Sequence, residues 1–196
     1  MGSREEILER IRRNTQETYE YPDLGSLKQA ALSFDNKVNA FAESLKAAGG
    51  NAIIAPDPSC IDGIIRKEYP DAKSIVSPIG ILECKTASPE DYASPEDLDG
   101  TDVAVVRGDF GVAENGAVWI TDCGCHRALL FIAEALVIIL GRNSIVDNMH
   151  QAYSREEMQR CREFGTFISG PSKTADIEQA LVFGAHGARN VTVILV

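Results

Sequence analysis

The sequence predicts an α/β domain, a mixed sheet covered by helices, with an N-terminal helical arm before it. Three observations carry this. The strand-like segments are short continuous apolar runs rather than alternating ones, as strands buried on both faces are. Helical patterns separate most of them. The chain has 196 residues, 44% of them hydrophobic, enough for one core without disulfide or metal staples.

The elements follow in order. Residues 4–13 read as a short helix with Ile7, Leu8 and Ile11 on one face, and Tyr19 to Asp23 as a break. Residues 1–26 are therefore assigned to the arm and 27–196 to the α/β domain. Apolar residues at Leu27, Ala31, Phe34, Val38, Phe41 and Leu45 recur at three and four, which predicts an amphipathic helix over 27–48. Gly49-Gly50 stops it. A buried strand is expected at 51–55, a helix at 59–69 and a strand at 74–77. Residues 87–98 repeat Ala-Ser-Pro-Glu-Asp twice, each copy with a Ser cap, Pro at the first helical position and acids after it. They read as an exposed acidic excursion of short turns. A strand at 101–107 and a hairpin over 111–121 pivoting on Asn115-Gly116 come next. Then follow a strand at 136–140, a helical stretch at 144–163, and strands at 166–169 and 190–196.

Composition bounds the function. The formal net charge of −10 argues against nucleic acid or an anionic membrane as a general partner. Five cysteines, irregularly spaced and without a signal peptide before them, point to a reducing, cytoplasmic setting. The longest apolar run, Ala128 to Leu140, is interrupted by Glu134 and falls short of the ~20 residues of a bilayer span, so no membrane insertion is expected.

The most informative stretch runs from Phe167 to Glu178: an apolar strand, a Gly-Pro break, Ser172-Lys173-Thr174, then a helix start with Asp176 and Glu178 in its first turn. A helix N-terminus there would offer free N–H groups and a positive dipole end to an anion, or would simply be capped by Ser172 or Thr174. A helix-end charge effect is only about 0.3–1 kcal/mol, whereas millimolar affinity needs about 4 kcal/mol. Other donors must converge, and Lys173, His186, Arg189 and the loop amides are the candidates for a small carboxylate or phosphate. The 108–117 segment places Asp109, Glu114 and Asn115 among glycines. Glu114 either flanks a tight turn or reaches into a cleft as ligand contact, base or nucleophile. Asp122-Cys123-Gly124-Cys125-His126 has poor zinc spacing, so no metal and no cofactor are expected.

Three blocks, Gly-x-Ala-Glu-Asn-Gly (111–116), Ser-Gly-Pro-Ser-Lys-Thr-Ala-Asp-Ile-Glu (169–178) and Gly-x-His-Gly (184–187), together resemble the LUD-domain family, which includes the lactate utilisation protein C (LutC/YkgG) proteins. Arg127 matches a family arginine after the hairpin. Two positions depart from the pattern: Ala188 stands where the family has proline, and Ala135 where it commonly has histidine. The resemblance implies a fold like the NagB/RpiA/CoA transferase group. It also implies a cytoplasmic part in oxidising L-lactate to pyruvate beside iron–sulfur oxidoreductase subunits, with a small anion as ligand. Two other readings remain: a stand-alone CoA-transferase- or isomerase-like enzyme using Glu114, and a non-catalytic scaffold docking through residues 4–13 or 87–99.

Overall fold

The computed structural model describes residues 3–15, 20, 25, 30–160, 164–174, 182–184 and 186–196. The chain divides into two compact units, residues 1–31 and 32–196. The first contains helix α1 (Ser3–Asn14), laced by Glu6–Arg10 and Glu9–Arg13 pairs, with Ile7, Leu8 and Ile11 exposed.

The second unit is built on a parallel five-stranded sheet. Its strands are β1 (Asn51–Ile54), β2 (Ile75–Val76), β3 (Val103–Arg107), β6 (Ala135–Leu140) and β11 (Asn190–Leu195), in the order β1-β11-β6-β3-β2. The α/β class expected from the continuous apolar runs is thus observed. Alternate side chains of β3, β6 and β11 feed two cores. Val103, Val105, Val137, Ile139 and Ile194 pack with Ile61 and Ile65 of helix α3 (Ile61–Glu68). Ala104, Val106, Leu136, Ile138, Val191, Val193 and Leu195 pack with Phe41 and Leu45 of helix α2 (Lys37–Ala47).

A second, mixed sheet lies against that α2 core. It joins β4 (Phe110–Val112), β5 (Ala117–Ile120), β7 (Ile145–Val146) and β8 (Thr166–Ile168) in the order β7-β4-β5-β8. Val118, Ile120, Ile145 and Ile168 face inward. On the other face Phe110, Trp119 and Phe167 form an aromatic group, with ring centroids 4.7–6.5 Å apart, under Met149, Ala152 and Met158. These last belong to short helices α5 (Met149–Tyr153) and α6 (Glu156–Arg160). Helix α4 (Leu129–Ile132) leads into β6. A two-stranded ribbon pairs β9 (Lys173–Thr174) with β10 (Val182–Phe183).

Four expectations need correction. Helix α2 begins at Lys37, after non-helical residues 30–36, because Asn36 caps it by accepting from the Asn39 N–H; residues 27–29, with Leu27, lie outside the described residues. The Phe34 N–H just before it is held by Asp147 Oδ1 at 3.0 Å. The stretch 144–163 opens as strand β7, parallel to β4, and its helix breaks at Ser154-Arg155; residues 161–163, with Cys161, lie outside the described residues. The hairpin carries a four-residue loop, Ala113–Gly116, rather than a two-residue turn. Finally, Lys173 and Thr174 are strand, so Ser172 caps no helix; Asp176 and Glu178 lie outside the described residues. The 88–98 repeat forms two single turns, each with a Ser–Asp capping box, and Leu98 anchors it in the core. At the C-terminus of α2, the Gly50 N–H bonds Leu45 O and the Gly49 N–H bonds Lys46 O, with Gly49 at φ +89°, a Schellman stop.

Asp147 locks α2 to the second sheet. It is 6% exposed, and its carboxylate takes the Phe34 N–H, Gln151 Nε2 and the Lys37 ammonium at 3.2 Å. Burial would raise its pKa. The bonds from Phe34, Gln151 and Lys37 outweigh that and hold it below the usual carboxylate value. A depressed folded-state pKa contributes stability above the unfolded value, about 3.9, and that contribution is lost as pH falls through the folded one. Urea unfolding of Asp147→Asn should therefore show a loss of about 2 kcal/mol at pH 7. The gap to wild type should shrink below pH ~4. A pH-independent gap would show that ionisation of Asp147 is not what stabilises this corner.

Candidate functional site

Two of the three glycine-bearing segments close around one cavity. The Ser172 N–H donates to Ala188 O at 2.9 Å and the Gly184 N–H donates to Ser172 O at 3.0 Å, so the 170–172 corner and the 184–188 loop are zipped together. A Cβ on Gly187 would come 3.1 Å from Ser172 Cβ. The third segment joins at the side, where Ser169 Oγ donates to Asn115 O at 2.7 Å. Behind these contacts lies a cavity of about 250 Å³. Leu130, Phe131, Leu136, Phe167, Ile168 and Val191 form its apolar wall; Ser169, Ser172 and His186 form its polar edge. That volume has room for roughly eight waters at about 30 Å³ each. It lies below the usual ~300–1,000 Å³ of drug-sized pockets, which favours a small metabolite.

The expected cations are near but not in this wall. Lys173 is exposed and its Nζ lies beside Gly49, at the C-terminal end of α2, where a positive charge complements the helix dipole. Arg189 is exposed and pairs with Glu134 at 3.3 Å. It lines a neighbouring cleft of about 540 Å³ that also holds Asp99, Asp102 and Glu134 and shares Phe131, His186 and Gly187 with the first cavity. Exposed Arg127 lies 4.8 Å over the Phe164 ring. Thr174 is backbone-paired with Val182.

The carboxylates are employed elsewhere. Glu114 Oε2 accepts the Met149 N–H at 2.9 Å, capping the first turn of α5, while the Glu114 N–H bonds Asp147 O. Asp109 Oδ2 accepts Thr121 Oγ1 at 2.7 Å across the start of the hairpin. Asp109 follows the C-terminal end of β3, whereas Leu136 and Val191 sit at the N-terminal ends of β6 and β11. The strand between spans four residue steps, roughly 13 Å. Asp109 is therefore at the opposite end of the parallel sheet from His186. The cavity itself lies at the N-terminal edge, not at the strand ends where open α/β sheets ordinarily bind ligands.

Sequence reasoning missed Leu130, Phe131, Leu136, Val191 and Ser169. The four apolar residues read as ordinary core, and only Phe131, 46% exposed in an otherwise buried run, carries a hint. Ser169 lay within the quoted motif without a role. Among the described residues, no group of three His, Cys, Asp or Glu side chains could hold a metal ion, and no helix is long and apolar enough to cross a membrane.

Residues 81–196, more than half of the chain, match the LUD domain family model. The chain is 29% identical over 162 residues to a lactate utilization protein C from Geobacillus sp. (strain WCH70), a match covering 77% of this chain and 64% of the relative. It is 34% identical over 99 residues to the protein of that name from Bacillus pumilus (strain SAFR-032), covering 47% and 41%. To that from Geobacillus thermodenitrificans (strain NG80-2) it is 26% identical over 172 residues, covering 80% and 67%. The chain thus spans 41% to 67% of the length of these relatives. A crystal structure of a DUF162 family protein from Deinococcus radiodurans superposes with a TM-score of 0.65 at 19% identity, covering 84% of this chain and 98% of that one, a likeness of fold.

The Glu114 geometry makes a direct prediction. Glu114→Ala should cost about 1 kcal/mol in chemical denaturation, the usual value of a lost helix cap. Glu114→Gln should recover part of it, since an amide oxygen still accepts. Equal stability of both variants and wild type would show that the cap contributes nothing.

Proposed function

This chain belongs to the LUD domain family, and from that premise we propose that it serves L-lactate utilisation as a LutC-like component that binds a small 2-hydroxy or 2-oxo carboxylate. Relatives named for lactate utilisation support the process. The single observation that carries the ligand class is the 250 Å³ cavity with an apolar wall and a Ser172–His186 edge. A short acid has two faces. Its methyl suits Leu130, Leu136 and Val191. Its carboxylate suits the Ser172 hydroxyl and the His186 imidazole as donors; Ser169 has already given its proton to Asn115 O.

Lys173 and Arg189 stand outside the wall on this reading and act on the anion through solvent, where screening weakens them. The binding is therefore weak and chosen by shape. The protein works in the cytoplasm with iron–sulfur partner subunits that carry the electrons of lactate oxidation. Glu114 has no step assigned to it.

Isothermal titration with lactate, pyruvate and a sugar phosphate tests this. Lactate or pyruvate should bind, and the bulkier phosphate should not. Ser172→Ala and His186→Ala should each weaken binding about 5- to 10-fold, the net worth of one ordinary hydrogen bond, while Lys173→Ala should change it less than 2-fold. No heat with either acid, or variants that bind like wild type, would remove the cavity as the carboxylate site.

A further inference from the structure

The Cys123-Gly124-Cys125 turn, which the proposed ligand site leaves unused, carries chemistry of its own. It lies in the loop between β5 and α4. Cys123 is 2% exposed and packs in the core with Leu129 and Leu130, while Cys125 is exposed. The two residues pair as an isolated bridge across Gly124. The turn is fixed from several sides. The Gly124 N–H donates to Asp122 Oδ1 at 3.1 Å, and His126 Nε2 meets Tyr92 O at 2.9 Å. Gly124 sits at φ +76°, and a Cβ there would come 2.8 Å from Pro89 Cγ. Glycine is required by both the dihedral and the contact.

We propose that Cys125 and Cys123 form a reversible thiol–disulfide pair, with Cys125 the thiol attacked by a hydroperoxide and Cys123 the thiol that resolves it. In the first step the Cys125 sulfur takes one oxygen from the hydroperoxide, giving a sulfenic acid and releasing the alcohol, or water from hydrogen peroxide. In the second the Cys123 sulfur bonds the Cys125 sulfur, the S–O bond breaks, and the hydroxyl leaves with the Cys123 proton as water. Two thiols lose two electrons and one peroxide bond gains them.

The division of roles follows from access. The exposed sulfur meets oxidant first. Burial, then the Asp122 carboxylate, push the Cys123 thiol above its ordinary pKa, with Arg127 opposing them, so Cys123 resists direct oxidation and reacts only when the loop lifts. By contrast, Cys84 is pushed up to about 12 by burial and by Asp62 and is inert. A ring closed across one residue is tight, and strained disulfides are the readily reduced, labile ones. Drawing Cys123 out of the core also disturbs the hydrophobic cluster that holds Leu130, a residue of the cavity wall.

Trypsin isolates the pair. The peptide 108–127, from Gly108 to Arg127, contains these two cysteines and no other. After brief hydrogen peroxide treatment of the native protein and alkylation, this peptide should appear two hydrogens lighter and unalkylated, and dithiothreitol should restore both alkylation sites. Cys125→Ser, a surface change, should abolish the lighter species. Cys123→Ala should leave a sulfenic acid at Cys125 that dimedone traps. Two outcomes would overturn the proposal: both thiols still alkylated after oxidation, or Cys125 converted to sulfinate or linked between chains while Cys123 remains alkylatable.

Discussion

Everything at the cavity depends on how closely the mixed sheet is pressed onto helix α2 and the parallel sheet. The contact is made where side chains are missing. A Cβ on Gly116 would lie 2.4 Å from Leu45 N, one on Gly111 would lie 2.8 Å from Leu140 Cδ2, and one on Gly170 would lie 2.5 Å from Ala48 O. Gly116 also has φ +67°, which penalises any other residue there. Interiors pack at crystal-like density, so these approaches fix the tip of the hairpin and the end of β8 to within a fraction of an ångström. The Ser169–Ser172 corner inherits that position, and the 184–188 loop is zipped onto the corner. The cavity edge is thus set by sterics two layers away.

Much of the fold was legible because the parallel strands are buried on both faces and their runs of Val, Ile and Leu say so. Where the reading failed, a non-local contact overrode a local pattern. The apolar spacing at Ala31 and Phe34 suits a helix, yet Asn36 finds the Asn39 N–H, and the Phe34 N–H goes to Asp147, 113 residues away. Ile145-Val146 has too little length to read as a strand and becomes one only because Gly111-Val112 presents an open edge. Ser172-Lys173-Thr174 offers Ser172 as a helix cap, but Lys173 and Thr174 pair with residues 182–183 as a ribbon, and the helix start expected after Thr174 lies outside the described residues.

The candidate site was half legible for the same reason. Glycine loops announce that the backbone comes close to something, so their convergence could be read. What lines the space between them could not, because Leu136 and Val191 look like any other core residue. Charges were the poorest guide. Lys173 lies by the end of α2, Arg189 has Glu134, and Glu114 caps α5. A charged side chain takes the nearest opposite partial charge, and a sequence does not say where that is.

The order of the parallel sheet has one further consequence. Strand β11 fills the slot between β1 and β6, so residues 51–54 and 135–140 have no neighbour on that side until residues 190–195 exist. During synthesis the ribosome therefore holds a half-built sheet with two adhesive apolar rims for some 140 residues of elongation in the case of β1. Open strand edges of this kind invite association with other chains, and pairings so distant in sequence form slowly. The nascent protein is a natural client for chaperones until its last described strand drops into place.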